Sequence, residues 1–339
     1  AMPNTDPAMD SAAVVRQVQT LGASALCDVH PSAAITVGRR GEALTPMAEL
    51  AEAGVRVFTD DGDGVQDARL MRRALEYAGG LDADVLLAQH CEVDALAEGG
   101  HMNEGAWSSR LGIPGMPAEA EELMIARDIA LARLTGRPVH FQHLSTAGAV
   151  DLVRQAKAAG LPVTAEACPH HFTLTDDCVA DYDPAFKVNP PLRTAHDVAA
   201  VRAGLADGTF DAIATDHAPH TREAKEQPFD QAPPGMVGLE TALALALTEL
   251  ALDVGEVLAL LSWQPARVAR LAHEHGGPVA ADRPAHLCVI DTGAVWTVDP
   301  EDTASRSRNN PYAGRRLTGR VRHTVLRGEP VVIDGVVQR

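Results

Sequence analysis

Six short apolar runs rich in β-branched residues recur along the chain, at 23–29, 55–59, 84–89, 138–142, 162–167 and 210–215, with stretches of helical period between most of them. This alternation constrains the fold more than any other feature, because parallel strands need long crossovers and those crossovers are usually helices. The class expected is therefore α/β with a parallel sheet. At ~30 residues per unit the repeat matches a (β/α)8 TIM-like barrel of ~250 residues, and 339 residues leave room for a small appendage.

Local signals mark the helices. Glu119, Glu121 and Glu122 follow Pro117 at the start of a segment running to Gly136, and its Leu123, Ala126, Ala130 and Leu134 fall on one face. Thr194 is an N-cap candidate, with Asp197 three residues on and Gly208 beyond the helix end. A doubly wound open sheet is the competing architecture. Five of the six runs finish in His-, Asp- or Glu-rich sequence, however, and barrels assemble their sites from many strand ends where open sheets use one switch point. From about residue 277 the runs 277–279, 286–291, 321–327 and 330–333 read as short strands separated by Gly and Pro. The expected division is a barrel over 1–276 and a C-terminal β-sandwich appendage over 277–339.

Composition narrows the function. With 29 basic and 46 acidic residues the net charge is −17, and no basic stripe exists to meet nucleic acid or an anionic membrane. No run approaches the ~20 apolar residues of a membrane span. Five scattered cysteines, odd in number and never spaced CxxC, fit a reducing compartment, so the expected location is cytoplasmic. Only 4% of residues are aromatic, which predicts an aliphatic core, and the only lysines are Lys157, Lys187 and Lys225.

Four strand ends carry the chemistry: Asp60-Asp61-Gly62, His90-Cys91-Glu92, His143-Leu144-Ser145-Thr146 and Thr215-Asp216-His217-Ala218-Pro219-His220. Taken singly, Asp-Asp-Gly is a turn, a lone His is a packing residue and Asp216 is a helix cap. In a parallel barrel all four converge on one face, and their nitrogen and oxygen donors suit zinc or a related divalent ion. His273-Glu274-His275 has HxH spacing but follows a helical run, and Asp28-Val29-His30 and His101 read as loop residues. His170-His171 is expected to support the cleft from behind.

The four strand ends, together with Ala1-Met2-Pro3-Asn4-Thr5, Glu166-Ala167-Cys168-Pro169-His170-His171, Asn189-Pro190-Pro191-Leu192-Arg193 and Gly238-Leu239-Glu240-Thr241, give an ordered set that resembles the type I dihydroorotases of the amidohydrolase superfamily. The resemblance implies zinc-dependent, reversible cyclisation of N-carbamoyl-L-aspartate to L-dihydroorotate in pyrimidine synthesis, with one or two zinc ions. It implies Asp61, His90, His143 and Asp216 as metal ligands, Asp61 bridging where many relatives use a carboxylated lysine, and Asp216 also as the proton shuttle. Asn4, Asn189, His220, Pro233 and Pro234 match substrate-contacting positions. Residues 221–232 read as a loop able to cover the site. The family's first strand, bearing His-x-His and an Arg, has no counterpart here, so the expectation is an N-terminally truncated member whose barrel lacks that strand. The partners implied are the small substrate and either a second copy of the chain or aspartate transcarbamoylase. Two alternatives stand beside this reading: a non-catalytic homologue that scaffolds aspartate transcarbamoylase, or another cyclic amidohydrolase such as allantoinase, hydantoinase or dihydropyrimidinase.

Overall fold

The computed structural model describes residues 1–338; Arg339, the end of the expected appendage, lies outside them. Its main sheet contains β1 (Val57–Phe58), β2 (Leu86–Gln89), β5 (Val139–Phe141), β6 (Val163–Ala167) and β7 (Ala212–Ile213), side by side in that order and all parallel. A two-stranded parallel pair, β3 (Met102–Asn103) and β4 (Gly115–Met116), sits in the excursion after β2. Five of the expected runs thus become strands in the expected order. Residues 23–29 do not: they form turns and bends, and the chain joins the ladder later, where Ala33 bridges Phe58 in parallel. Asp60 sets that position, its carboxylate accepting the Ile35 and Thr36 N–H groups at 2.8 and 3.0 Å. Among the described residues the ladder runs from Ala33 to β7 without closing, an α/β barrel with an open side.

Helices pack outside the sheet. The helix Ala195–Ala206 starts as expected, with the Thr194 side chain accepting from the Asp197 N–H and Asp197 reaching back to the Thr194 N–H. The helix Glu119–Thr135 also forms, but its buried face is Ala120, Glu121, Met124, Ile125, Asp128 and Ala132, while Leu123 and Leu134 are exposed. Polar partners inside the protein decide this orientation. Glu121 accepts the Ser145 and Thr146 N–H groups, each at 3.0 Å, and Asp128 takes hydrogen bonds from Gln89 and Arg127. The core is mostly aliphatic, yet Phe58, Phe141, Phe172 and Phe210 are among its largest fully buried side chains.

The C-terminal residues form an antiparallel sheet in the order β11-β10-β9-β8, from β8 (Leu287–Thr297), β9 (Arg316–Leu326), β10 (Glu329–Ile333) and β11 (Val336–Val337). Residues 277–279 carry no strand, and β8 and β9 are much longer than the runs that announced them. Buried Leu317, Val298 and Tyr312 pack against Leu174, Leu192, Met236 and Leu245, which seats this sheet on the barrel.

Candidate metal centre

The loop after β1 separates two adjacent aspartates by task. Asp60 is fully buried and used up by the 35–36 backbone and the Thr36 hydroxyl, whereas Asp61 turns the other way, towards His90 and His143. Gly64 makes the turn possible: it has φ +66°, and a Cβ there would lie 2.6 Å from the His90 carbonyl oxygen.

His90 follows β2 and His143 follows β5, and both are buried. His90 Nδ1 is 3.1 Å from His143 Nε2; Asp61 Oδ1 is 3.4 Å from that nitrogen and 3.9 Å from His90 Nδ1. Ligand atoms ~2.0–2.1 Å from a tetrahedral zinc ion are about 3.3 Å apart, so these three atoms already have the spacing of one coordination shell. On their far sides, His90 Nε2 and His143 Nδ1 are buried without hydrogen-bond partners. His143 also has φ +36° and Asp216 φ +43°, backbone conformations costly for residues other than glycine and characteristic of functional sites.

The site is rich in carboxylates; burial works to lower the pKa of His143, but the hydrogen bond to Asp61 and the charges of Asp216 and Asp61 hold it up to about 9. Asp216 sits beyond β7 near Asp61 and Glu166, and burial with those two carboxylates pushes its pKa up to about 6, against the opposing pull of His143. Asp61 is held below the usual range: burial works to raise it, but the hydrogen bond and charge of His143 outweigh that cost. Burial and the neighbouring His143 push His90 down to about 3. Among the described residues no lysine or arginine is hydrogen-bonded to Asp61 or Asp216. Asp61, His90 and His143 bring one ligand atom each within 4.8 Å of one another, a donor mixture that a divalent metal accepts, and Asp216 stands outside that group but close enough to feel its charge.

Sequence reasoning gave His140 and Glu166 no role of their own. His140 donates or accepts at both ring nitrogens, 2.8 Å from Thr164 Oγ1 and 3.1 Å from Glu166 Oε2. Strand alternation was the available signal, since β6 buries Val163, Ala165 and Ala167 towards the helices and turns Thr164 and Glu166 to the other face.

The residues matched to substrate contacts surround this cluster unevenly. Asn4 is exposed, its Nδ2 3.5 Å from Asp61 Oδ2. Asn189 is hydrogen-bonded to Glu92 and keeps a buried, unpartnered Oδ1. His220 Nε2 lies 2.9 Å from the Pro234 carbonyl oxygen, and the Pro233 carbonyl accepts from Lys225 Nζ at 3.0 Å. Lys225 also donates to the Gly235 carbonyl, and Asn309 from the C-terminal part donates to the Ala218 and Gly235 carbonyls. His170 and His171 are buried in the short helix Pro169–Thr173 and group with Cys168, a further set of atoms close enough to hold an ion. His101 lies away from the cluster against Lys187, Nδ1 to Nζ 3.3 Å.

Comparisons with known proteins agree with this geometry. A family model described as Dihydro-orotase-like matches residues 1–149. Among solved structures, the L-hydantoinase from Arthrobacter aurescens has the same fold, with TM-score 0.87 at 22% identity over 100% of this chain and 77% of that one. The dihydropyrimidinase from Brevibacillus agri gives 0.82 at 19% identity, over 99% and 77%. A dihydroorotase from Streptomyces coelicolor is 51% identical over 99% of this chain and 79% of its own length. One from Pelotomaculum thermopropionicum is 49% identical over the same shares. Identity at that level across nearly the whole chain places the protein in the dihydroorotase family of cyclic amidohydrolases.

Proposed function

We propose that Asp61, His90, His143 and Asp216 bind zinc and that the site interconverts N-carbamoyl-L-aspartate and L-dihydroorotate. The 3.1, 3.4 and 3.9 Å spacing of His90, His143 and Asp61 is the observation that carries this reading. A bound ion would supply Lewis acidity, polarising the ring carbonyl and making water a competent nucleophile near neutral pH. In the hydrolytic direction Asp216 takes the proton of the attacking water and delivers it to the departing ring nitrogen. A carboxylate at this position can both accept the proton and give it up again. Asn4, Asn189 and His220, with the Pro233-Pro234-Gly235 turn, orient the substrate's carboxylate and amide.

The lysines favour this reaction over that of lysine-bridged amidohydrolases. Lys157 pairs with Asp211, Lys187 donates to the Phe229 carbonyl and Lys225 holds the 233–235 turn, so none is positioned to take the place of Asp61. The same reading divides the chain into a barrel over 1–276 and an appendage over 277–339, and places the enzyme in the cytoplasm. There it acts on a small molecule, as a homo-oligomer or beside aspartate transcarbamoylase. No helix of the described residues is long and apolar enough to cross a membrane, and all five cysteines are free. The exposed Leu123 and Leu134 on one helix support self-association.

The test is metal removal. Chelation of the purified chain is expected to abolish dihydroorotate hydrolysis and zinc to restore it, and His143→Ala should lower the zinc-to-protein ratio. Activity indifferent to chelation, or an unchanged ratio in the variant, would overturn the assignment.

A further inference from the structure

Two polar pairs, Asp28-x-His30 and His273-x-His275, have no part in the candidate centre; by sequence the first is a loop and the second the end of a helix. The structure brings one member of the second pair against both members of the first. His275 Nε2 is 3.0 Å from Asp28 Oδ2, and the His30 and His275 rings are 5.8 Å apart, centroid to centroid. His286 completes the group, its ring 4.9 Å from that of His275. Ligand atoms of Asp28, His275 and His286 all lie within 4.8 Å of one another, and the same holds for His30, Glu274 and His275.

We propose that Asp28, His275 and His286, with His30 beside His275, form a second metal site, structural in role and selective for a transition-metal ion of the zinc class. Asp28 Oδ2, His30 Nε2, His275 Nε2 and His286 Nδ1 are all buried, and none makes a hydrogen bond of acceptable geometry. Asp28, His275 and His286 bring such atoms within 4.8 Å of one another with no well-aligned hydrogen bond among them, which is costly to bury unless something satisfies them together, and imidazole with carboxylate is the donor mixture that zinc-class ions accept. Arg327 donates to the other oxygen, Asp28 Oδ1, which orients the carboxylate and leaves Oδ2 facing the imidazoles. His273 takes no part: its side chain is exposed and pairs with Glu274.

The site is separate from the candidate centre. Ala33 registers with Phe58 in parallel, so Asp28 and His30 lie before that rung and Asp61 after it, towards opposite ends of the sheet. Its ligands come from the segment leading to the sheet's open edge, from the loop after the helix Gln264–Val268 and from the approach to β8. An ion here fastens the barrel edge to the C-terminal sheet.

Titration with Co²⁺ alone tests this, read by dialysis stoichiometry and by the ligand-field bands of tetrahedral Co²⁺. The full chain carrying His90→Ala and His143→Ala is expected to bind one equivalent. Adding His275→Ala and His286→Ala should abolish that equivalent. Should this combination fail to fold, as judged by circular dichroism, His286→Asn in its place is expected to weaken Co²⁺ by at least about ten-fold. Zinc should also raise the thermal midpoint of the His90→Ala/His143→Ala chain and not that of the chain lacking His275 and His286. A folded His90→Ala/His143→Ala chain that binds no Co²⁺, or binding unchanged by loss of the distal histidines, overturns the proposal.

Discussion

His140 and Glu166 face each other from adjacent strands, Nε2 to Oε2 at 3.1 Å, and through this contact the barrel interior holds a carboxylate beside the candidate metal cluster. Glu166 adds negative charge to a site already containing Asp61 and Asp216. Removing that charge without changing shape, by Glu166→Gln, should weaken zinc about ten-fold, as loss of supporting partners around metal ligands typically does. Competition with a chromophoric chelator measures it, and an unchanged affinity would remove Glu166 from the electrostatics of the site.

Asp216→Asn keeps the volume and loses the exchangeable proton. Turnover should fall at least about 10²-fold, the low end for loss of a general acid–base group, while zinc content stays near that of the parent because Asp61, His90 and His143 remain. Parallel assays of kcat and metal content separate the roles. Retained turnover would end the assignment of Asp216 as proton carrier.

Glu121→Ala strips the acceptors from the buried Ser145 and Thr146 N–H groups, two and three residues after His143. Leaving two buried donors unpaired should cost about 2–5 kcal/mol, visible as a lower urea midpoint, and should raise KM for zinc reactivation by loosening the loop that carries His143. A midpoint within measurement error of the parent would show that another group takes over those donors.

Lys225 supplies a pH signature away from the Asp61–His90–His143 cluster. Burial, aided by Lys187, pushes its pKa down to about 8 from an ordinary 10.5. Between those values the unfolded chain keeps a proton that the folded chain has released, so folding stability from this group rises with pH across that window. The stability of the parent relative to Lys225→Met is therefore expected to increase from pH 8 to pH 10. Urea denaturation of both proteins at the two pH values checks the sign, and a flat difference would show that Lys225 titrates normally.

The legible parts of this chain were those fixed by local chemistry. The Thr194–Asp197 cap forms as read, and five strands appear where β-branched runs end in polar residues. Asp61 could be picked from its pair by resemblance, but the reason for the choice is visible only in three dimensions, where Asp60 is spent on the 35–36 backbone. The helix Glu119–Thr135 misled because an apolar stripe normally faces inward. Here Glu121 and Asp128 have partners inside, at Ser145, Thr146 and Gln89, which are distant in sequence and carry no periodic signal. The His275 cluster was hidden for the same reason, Asp28 and His30 being far in sequence from His275 and His286.

Asn309 has a consequence for how the enzyme can change. Its amide nitrogen takes hold of Ala218 from the strand-end loop and Gly235 from the proline turn, while its oxygen receives the His220 N–H at 3.4 Å. The gap between the 218–220 loop and the 233–235 turn is thus gauged by a side chain from the C-terminal segment. Loops transplanted from a relative would arrive without their ruler, so a change of substrate in this scaffold requires the C-terminal segment to change in step with the barrel.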